Sequence, residues 1–218
     1  MHNGITLYKD AIEAVKKLNL ESKKVVFLSN APRPSSNVKD FLRNMKMDDK
    51  YLNNIVTSGE AAMYSINQNK FGKSFFHLGP ERDGTIYAGL ENFKTDLKTC
   101  DYILCTGLYD NMMDDLKFYE KLLKNSLNKK MICTNPDLIV DRGNIQEYCA
   151  GTIAHTFEKM GGQVVYFGKP HPEVYNQSIN NNNKKILAIG DNLNTDIRGA
   201  NLLNYDCLLV SNGIHKDE

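Results

Sequence analysis

The chain has 218 residues, which is enough for one large or two modest domains with a real core. Its 27 basic and 26 acidic residues leave a formal charge of +1, and no long basic run appears, so a nucleic-acid groove is not expected. No apolar stretch approaches the roughly 20 residues of a membrane span, so no membrane partner is expected either.

In chain order, Met1-His2-Asn3-Gly4 leads into turn-like and helical sequence with nothing that reads as a signal peptide, and the expected compartment is the cytoplasm. The spacing of apolar residues predicts a helix over 10–19 (DAIEAVKKLN), a strand within 23–30 (KKVVFLSN), a helix over 36–45, a strand within 53–59 (NNIVTSG) and a helix over 59–68. Strands follow within 74–80 (SFFHLGP) and 101–107 (DYILCTG), then a helix over 114–125, a strand within 130–135 (KMICTN) and a helix over 151–160. The last third predicts a strand within 163–170 (QVVYFGKP), a helix over 172–180, a solvated loop NNNNKK (180–185), a strand within 185–191 (KILAIGD), a helix over 196–204 and a strand within 206–213 (DCLLVSNG). Most strands are continuous apolar runs, as expected of strands buried on both faces. Strand and helix alternate, so the fold class is α/β with a mostly parallel sheet. The five cysteines, Cys100, Cys105, Cys133, Cys149 and Cys207, include no C-x-x-C pair, and four lie in or beside apolar runs; buried thiols are expected rather than zinc ligands.

In such sheets ligands bind beyond the C-terminal strand ends. Ser29 and Asn30 follow VVFL, Lys169 follows VVYFG, and Asp191, Asn192 and Asp196 follow LAIG. A hydroxyl beside backbone N–H groups suits a phosphate oxygen, and a lysine brings a compact positive charge to the same group. Two carboxylates on a loop suit Mg²⁺, which takes oxygen ligands and keeps several waters. Each residue has a plainer reading: Ser29-Asn30 as a turn or cap, Lys169 as a solvated lysine, Asp196 as the cap of the next helix. Taken together they describe a metal-assisted phosphoryl site.

The segments SNAPRP (29–34), YFGKPHPEVY (166–175) and GDNLNTDIRGA (190–200) resemble the second, third and fourth motifs of the haloacid dehalogenase superfamily, and the match is similar to its class IIA branch. The segment 134–162, opening on TNPD, is similar to the end of that branch's cap. The resemblance implies a doubly wound, Rossmann-like core, about 1–58 plus 163–218, with an inserted α/β cap, about 59–162. It implies Mg²⁺-dependent hydrolysis of a small phosphomonoester through an aspartyl-phosphate. Ser29, helped by Asn30, would hold the phosphoryl group, and Lys169 would neutralise its charge. Asp191 would bind Mg²⁺ directly, and Asp196 would bind or orient it through water. Asn135 and Asp137, at a cap strand end, would meet the substrate, with a turn before a long loop as the equal alternative. Caps of this branch often pair, so a homodimer stays open.

The departure is at the front. Family members carry a first motif, D-x-D-G-x-L-x-x-G, whose first Asp is the nucleophile and a Mg²⁺ ligand. Here His2-Asn3-Gly4 aligns with its last three positions, so the nucleophile and its strand are expected upstream of Met1. On that expectation the chain is a truncated form, weak or inactive by itself. Three readings stay open: a phosphatase, a non-catalytic relative that binds phosphate compounds or a partner, and a plain nucleotide-binding module. The last is disfavoured because neither G-x-G-x-x-G nor G-x-x-x-x-G-K-[ST] occurs.

Overall fold

The computed structural model describes residues 1–143, 145–179 and 185–213. Residues 180–184 of the NNNNKK loop lie outside this range. The elements run α1 (Lys9–Leu20), β1 (Phe27–Ser29), α2 (Ser35–Asn44), β2 (Ile55–Thr57), α3 (Ser58–Asn67), β3 (Phe75–Leu78), β4 (Tyr102–Cys105), α4 (Leu116–Leu123) and β5 (Lys130–Cys133). They continue with β6 (Ile139–Arg142), β7 (Ile145–Tyr148), α5 (Ala150–Lys159), β8 (Gln163–Tyr166), α6 (Pro172–Ser178), β9 (Leu187–Gly190), α7 (Arg198–Leu202) and β10 (Asp206–Leu209). All eight sequence-predicted strands and all seven predicted helices are present, with ends shifted by a few residues.

Local chemistry starts several helices. Asp115 accepts from the Phe118 N–H ahead of α4, and Pro172 occupies the first turn of α6. Thr57 accepts from the Glu60 N–H ahead of α3. Thr57-x-x-Glu60 has the residues of a capping box, but the Glu60 carboxylate accepts instead from Ser35 Oγ, at the start of α2.

Strands β3, β4, β5 and β8 form one parallel sheet in that order, with Phe75, Tyr102, Lys130 and Gln163 in register. Both faces are covered. Tyr102 and Leu104 of β4 turn to a cluster with Phe75, Ile132 and the α3 residues Ala61, Ala62 and Ile66. Ile103 and Cys105 turn to the other face, against Tyr119 and Leu123 of α4 and Ile153, Ala154 and Phe157 of α5. This alternation explains why β4 reads as a continuous apolar run. Cys100, Cys105, Cys133 and Cys149 are buried and unbridged, as is expected of small apolar side chains, while Cys207 is exposed.

Two further parallel pairs, β1–β2 and β9–β10, carry the remaining motifs. The expectation of burial on both faces fails for the second pair: Leu187, Ile189 and Leu208 are each at least half exposed. Their side chains share one face of the pair, and among the described residues nothing packs over it closely enough to bury them.

The stretch after Asp137 is not the long loop of one sequence reading. It forms an antiparallel hairpin, β6–β7, with Ile139 opposite Tyr148 and Arg142 opposite Ile145. No helix among the described residues is long and apolar enough to cross a membrane.

The contrast between the two kinds of sheet is measurable by urea unfolding. Phe157→Ala removes a fully buried ring and should cost about 3–5 kcal/mol. Leu208→Ser, on the open face, should stay within about 0.5 kcal/mol of the parent. Equal losses would contradict the described packing.

Candidate functional site

The apolar run of β9 ends at Gly190, and the chain then makes a wide π turn, Leu193–Ile197, before α7. The Ile197 N–H reaches Asn192 O, five residues back, at 3.2 Å. Asn192 caps this turn, its Oδ1 accepting from the Asn194 and Thr195 N–H groups at 2.9 and 3.2 Å. Asp196 is therefore not the helix cap. Its carboxylate folds back over the strand end, where Oδ2 accepts from the Asp191 and Asn192 N–H groups, both at 3.2 Å. Its Oδ1 accepts from Lys169 Nζ at 2.6 Å.

Lys169 is delivered by the loop that leaves β8. Gly168 before it has φ +113°, and a Cβ there would stand 2.7 Å from Asn30 Oδ1 and 2.8 Å from both Pro136 Cδ and Ser58 Cβ. Only glycine accepts that conformation in that space. The gap admits the Asn30 side chain, which behaves like a short piece of strand. Its Oδ1 accepts from the Lys169 N–H at 2.7 Å, and its Nδ2 donates to Lys169 O at 3.1 Å. The same Nδ2 donates to Asp137 Oδ1 at 3.0 Å. One buried amide thus ties the end of β1, the end of β8 and the loop after β5 together.

The electrostatics follow from burial. The Lys169 side chain is 16% exposed, and its partner Asp196 13%. Burial pulls the ammonium pKa down, but Asp196 and Asp137, with Asp191 behind them, more than offset this and leave it raised. Asp137 is enclosed by the cleft walls, and burial pushes its carboxyl up despite the pull of Lys169 and the Asn30 hydrogen bond.

Asp137, Lys169, Asp191 and Asp196 line one cleft of about 400 Å³. Its other walls include Ile139, Val140 and Gly143 of the hairpin and His2, Asn3 and Tyr8 near the N-terminus. The two walls meet where the Gly143 N–H donates to Asn3 O at 2.8 Å.

The remaining sequence candidates lie at neighbouring strand ends and are not among the residues that line the cleft. Ser29 ends β1, and its Oγ accepts from the Ala31 N–H at 3.1 Å, so its hydroxyl proton points elsewhere. Asn135 is buried and shapes the loop, its Oδ1 accepting from the Asp137 N–H at 3.0 Å. The sequence reading did not find the hairpin wall or the Asn192 cap. The Gly-Asn dipeptide at 143–144, between two short segments, was the available signal for the first. An Asn directly before the polar turn that leads into the helix was the signal for the second.

Carboxylates and a lysine gathered at the ends of parallel strands define a Rossmann-like α/β protein with a polar cleft where such sheets bind their ligands. Residues 1–92 match a family model described as haloacid dehalogenase-like hydrolase, and residues 166–218 match a second, HAD-hydrolase-like model. A hydrolase of the haloacid dehalogenase-like family from Brucella suis 1330 is 32% identical, with a TM-score of 0.92 over 98% of this chain and 82% of that one. The chain belongs to the haloacid dehalogenase-like hydrolase family. A p-nitrophenyl phosphatase from Archaeoglobus fulgidus (22% identity, TM-score 0.73, 96% of this chain and 82% of that one) shares its fold. So does NagD from E. coli K-12, at 21% identity and a TM-score of 0.71 over 98% of this chain and 84% of that one. A search of curated proteins finds no match.

Two stability measurements test the charge arrangement. A carboxyl with a raised folded-state pKa destabilises the fold once pH rises above its unfolded value, because the folded state holds the proton more tightly. Asp137→Asn keeps an oxygen for Asn30 Nδ2 and should therefore raise stability at neutral pH by about 1 kcal/mol, the gain vanishing below about pH 4. A lower melting temperature at pH 7 would contradict it. Lys169→Met removes the ammonium that faces Asp196 and Asp137 and should cost about 3–5 kcal/mol by urea unfolding. A loss under about 1 kcal/mol, the worth of a surface pair, would show that Lys169 is solvated after all.

Proposed function

We propose that the cleft binds the phosphoryl group of a small phosphorylated metabolite and that the chain is a Mg²⁺-dependent hydrolase of phosphomonoesters. The observation that carries this reading is Lys169, buried against Asp196 beside Asp191 and joined through Asn30 to the end of β1. Positive charge, a hydroxyl and carboxylates meet at strand ends, where a phosphate and a divalent ion can be held together. The fold shared with a p-nitrophenyl phosphatase supports the choice of substrate class.

The donors fit Mg²⁺. Asp191 and Asp196 offer only oxygen, the preference of a hard cation that keeps most of its waters. Both Asp196 oxygens already accept from Lys169 and backbone N–H groups, so Asp196 orients the strand end and Asp191 is the direct ligand. Once bound, Mg²⁺ supplies charge neutralisation at the phosphoryl oxygens. Lys169 Nζ supplies a second positive centre there, and the Ser29 hydroxyl, whose oxygen is held by Ala31 N–H, turns its proton to a phosphoryl oxygen. The cap, taken as about 59–162, brings the hairpin over the opening, where it limits water and meets the group the phosphate is attached to. None of Asp137, Asp191 and Asp196 is assigned the role of nucleophile, since each is placed to hold Asn30, the metal or Lys169. That assignment keeps a second reading in view: a protein that binds phosphate compounds without turning them over.

Calorimetric titration with inorganic phosphate and MgCl₂ tests the site. Phosphate binding should be weakened about tenfold or more in Ser29→Ala and lost in Lys169→Met, and Asp191→Asn should weaken Mg²⁺ about tenfold or more. Absence of phosphate binding in the parent, or equal affinity in Lys169→Met, would overturn the reading. Hydrolysis of p-nitrophenyl phosphate that disappears in Asp191→Asn separates the enzyme from the binder.

A further inference from the structure

A second charged contact joins the strand-end loop to the cap, well away from Lys169. After Ser29 and Asn30 the chain turns through Ala31, Pro32 and Arg33 into α2. Arg33 reaches Asp83, where its Nε lies 3.3 Å from Oδ1. Asp83 sits in a 3-10 turn, Glu81–Tyr87, between β3 and β4, and is only 3% exposed. A carboxylate so buried needs partners. Its partners are Arg33 and the Thr106 hydroxyl, with Arg82 adding a more distant positive charge and Asp110 opposing it. Thr106 Oγ1 in turn lies 2.9 Å from His77 Nε2, and burial lowers the His77 pKa to about 4, so this end of the network is neutral. Arg33 is therefore the cation closest to Asp83, and it comes from the loop that carries Ser29.

The rest of the loop is held on the same side. Ala31 O accepts from the Gly59 N–H at 3.1 Å. Ser58 Oγ lies 2.9 Å from Ala31 O and 2.5 Å from Thr134 O, at the end of β5, and shares its one proton between them. A Cβ on Gly59 would stand 2.2 Å from Pro32 O, so the start of α3 presses directly on the loop backbone. The loop is thus clasped between α3 and the cap strand ends, with the Arg33–Asp83 pair at its far end. Arg33 Nε is buried, yet it is not aligned for a hydrogen bond to the carboxylate 3.3 Å away. The contact is electrostatic and leaves room to tighten.

We propose that Arg33 is a positioning residue of the phosphoryl site, and that its ion pair with Asp83 makes correct seating of the cap a condition for the Ser29–Arg33 loop to hold phosphate. This rests on the reading of Ser29 and Lys169 given above. Arg33 touches none of the reacting atoms. It acts through the backbone it shares with Ser29 and Asn30, whose hydroxyl and amide must stand in one place for the anion to be gripped from both sides. Asp191 and Asp196 lie on a different element and are reached from the loop through Asn30 and Lys169 rather than through Arg33, so the pair should act on the metal site far less than on the grip for phosphate. A purely structural ion pair would support every ligand of the protein equally. A positioning pair supports phosphate and leaves Mg²⁺ alone.

The test is a double-mutant cycle of Asp83→Asn and Arg33→Gln in the full chain, read by calorimetry with inorganic phosphate and, separately, with MgCl₂. Each single change should weaken phosphate about tenfold, the double should be no weaker than the weaker single, and Mg²⁺ affinity should stay within about twofold. Asp83→Asn removes the buried charge while keeping an acceptor for Thr106, so it folds most readily, and Arg33→Lys provides a third variant that restores phosphate only in part. Unchanged phosphate affinity in both singles, losses that multiply in the double, or Mg²⁺ weakening in parallel with phosphate would each overturn the proposal. If the parent binds no phosphate, the reading of the site fails instead, and amide hydrogen exchange decides the positioning role. Exchange at Ala31 and Arg33 should then quicken about tenfold in Asp83→Asn while Ile103 and Leu104 of β4 are unchanged. Equal exchange in the loop would overturn it.

Discussion

Lys169 is largely buried, and so are the carboxylates that face it. Removing an ammonium and a carboxylate from water costs several kcal/mol for each ion before any attraction is counted, so such a group survives only where geometry is favourable and other hydrogen bonds complete it. Here Asp196 supplies the close contact, Asp137 and Asp191 supply further negative charge, and backbone N–H groups take the other Asp196 oxygen. Each of these depends on a different strand end. β8 must deliver Lys169, β9 must end where Asp191 and Asp196 can curl back, and the loop after β5 must hold Asp137. The position of the parallel strands is therefore linked to the solvation of one charge.

Asn30 performs the corresponding task without charge. It is the kind of buried polar group that is costly when half satisfied, and every polar atom of its side chain is engaged. Because its partners come from the loop after β8 and from the loop after β5, the amide registers the end of β1 against the four-stranded sheet. The Ser58 hydroxyl and the Arg33–Asp83 pair repeat this pattern on the other side of the same loop. The loop after β1 is thus fixed by contacts to α3, to the end of β5 and to the turn after β3.

Much of this was legible in the sequence for a simple reason. Strands covered on both faces must be apolar throughout, so β3, β4 and β5 stand out from their surroundings. The polar residues that follow β1, β8 and β9, namely Asn30, Lys169 and Asp191, fall where a parallel sheet places its ligands, and the motifs they belong to have fixed spacing. The hairpin β6–β7 was harder to see because β7 is mostly exposed and the two strands carry Arg142 and Glu147, so no apolar run marks them. Asp83 was hidden for the opposite reason. In Glu81-Arg82-Asp83-Gly84 it looks like one of several solvated charges, and only the 3-10 turn, which no periodicity announces, rotates it inward against Arg33. The roles of Asn135 and Asn192, each bonding to backbone two or three residues away, were equally hard to separate from an ordinary turn.

The wide turn after Asn192 has one more consequence. A π turn is an α-helical turn with an extra residue let into it, and each helical residue rotates the chain by about 100°. The four residues from Asn192 to Thr195 therefore work as a spacer of fixed length between the two acids. Side chains along it are replaceable where they face water, as Asn194 does. The count is not. Deleting one residue would let the segment relax into an ordinary helix, swing the Asp196 carboxylate about a quarter turn away from Gly190 and Lys169, and separate the two acids with every ligand-forming residue still in the chain. For this part of the protein the damaging changes are insertions and deletions rather than substitutions, a vulnerability that a residue-by-residue scan of the site would not reveal.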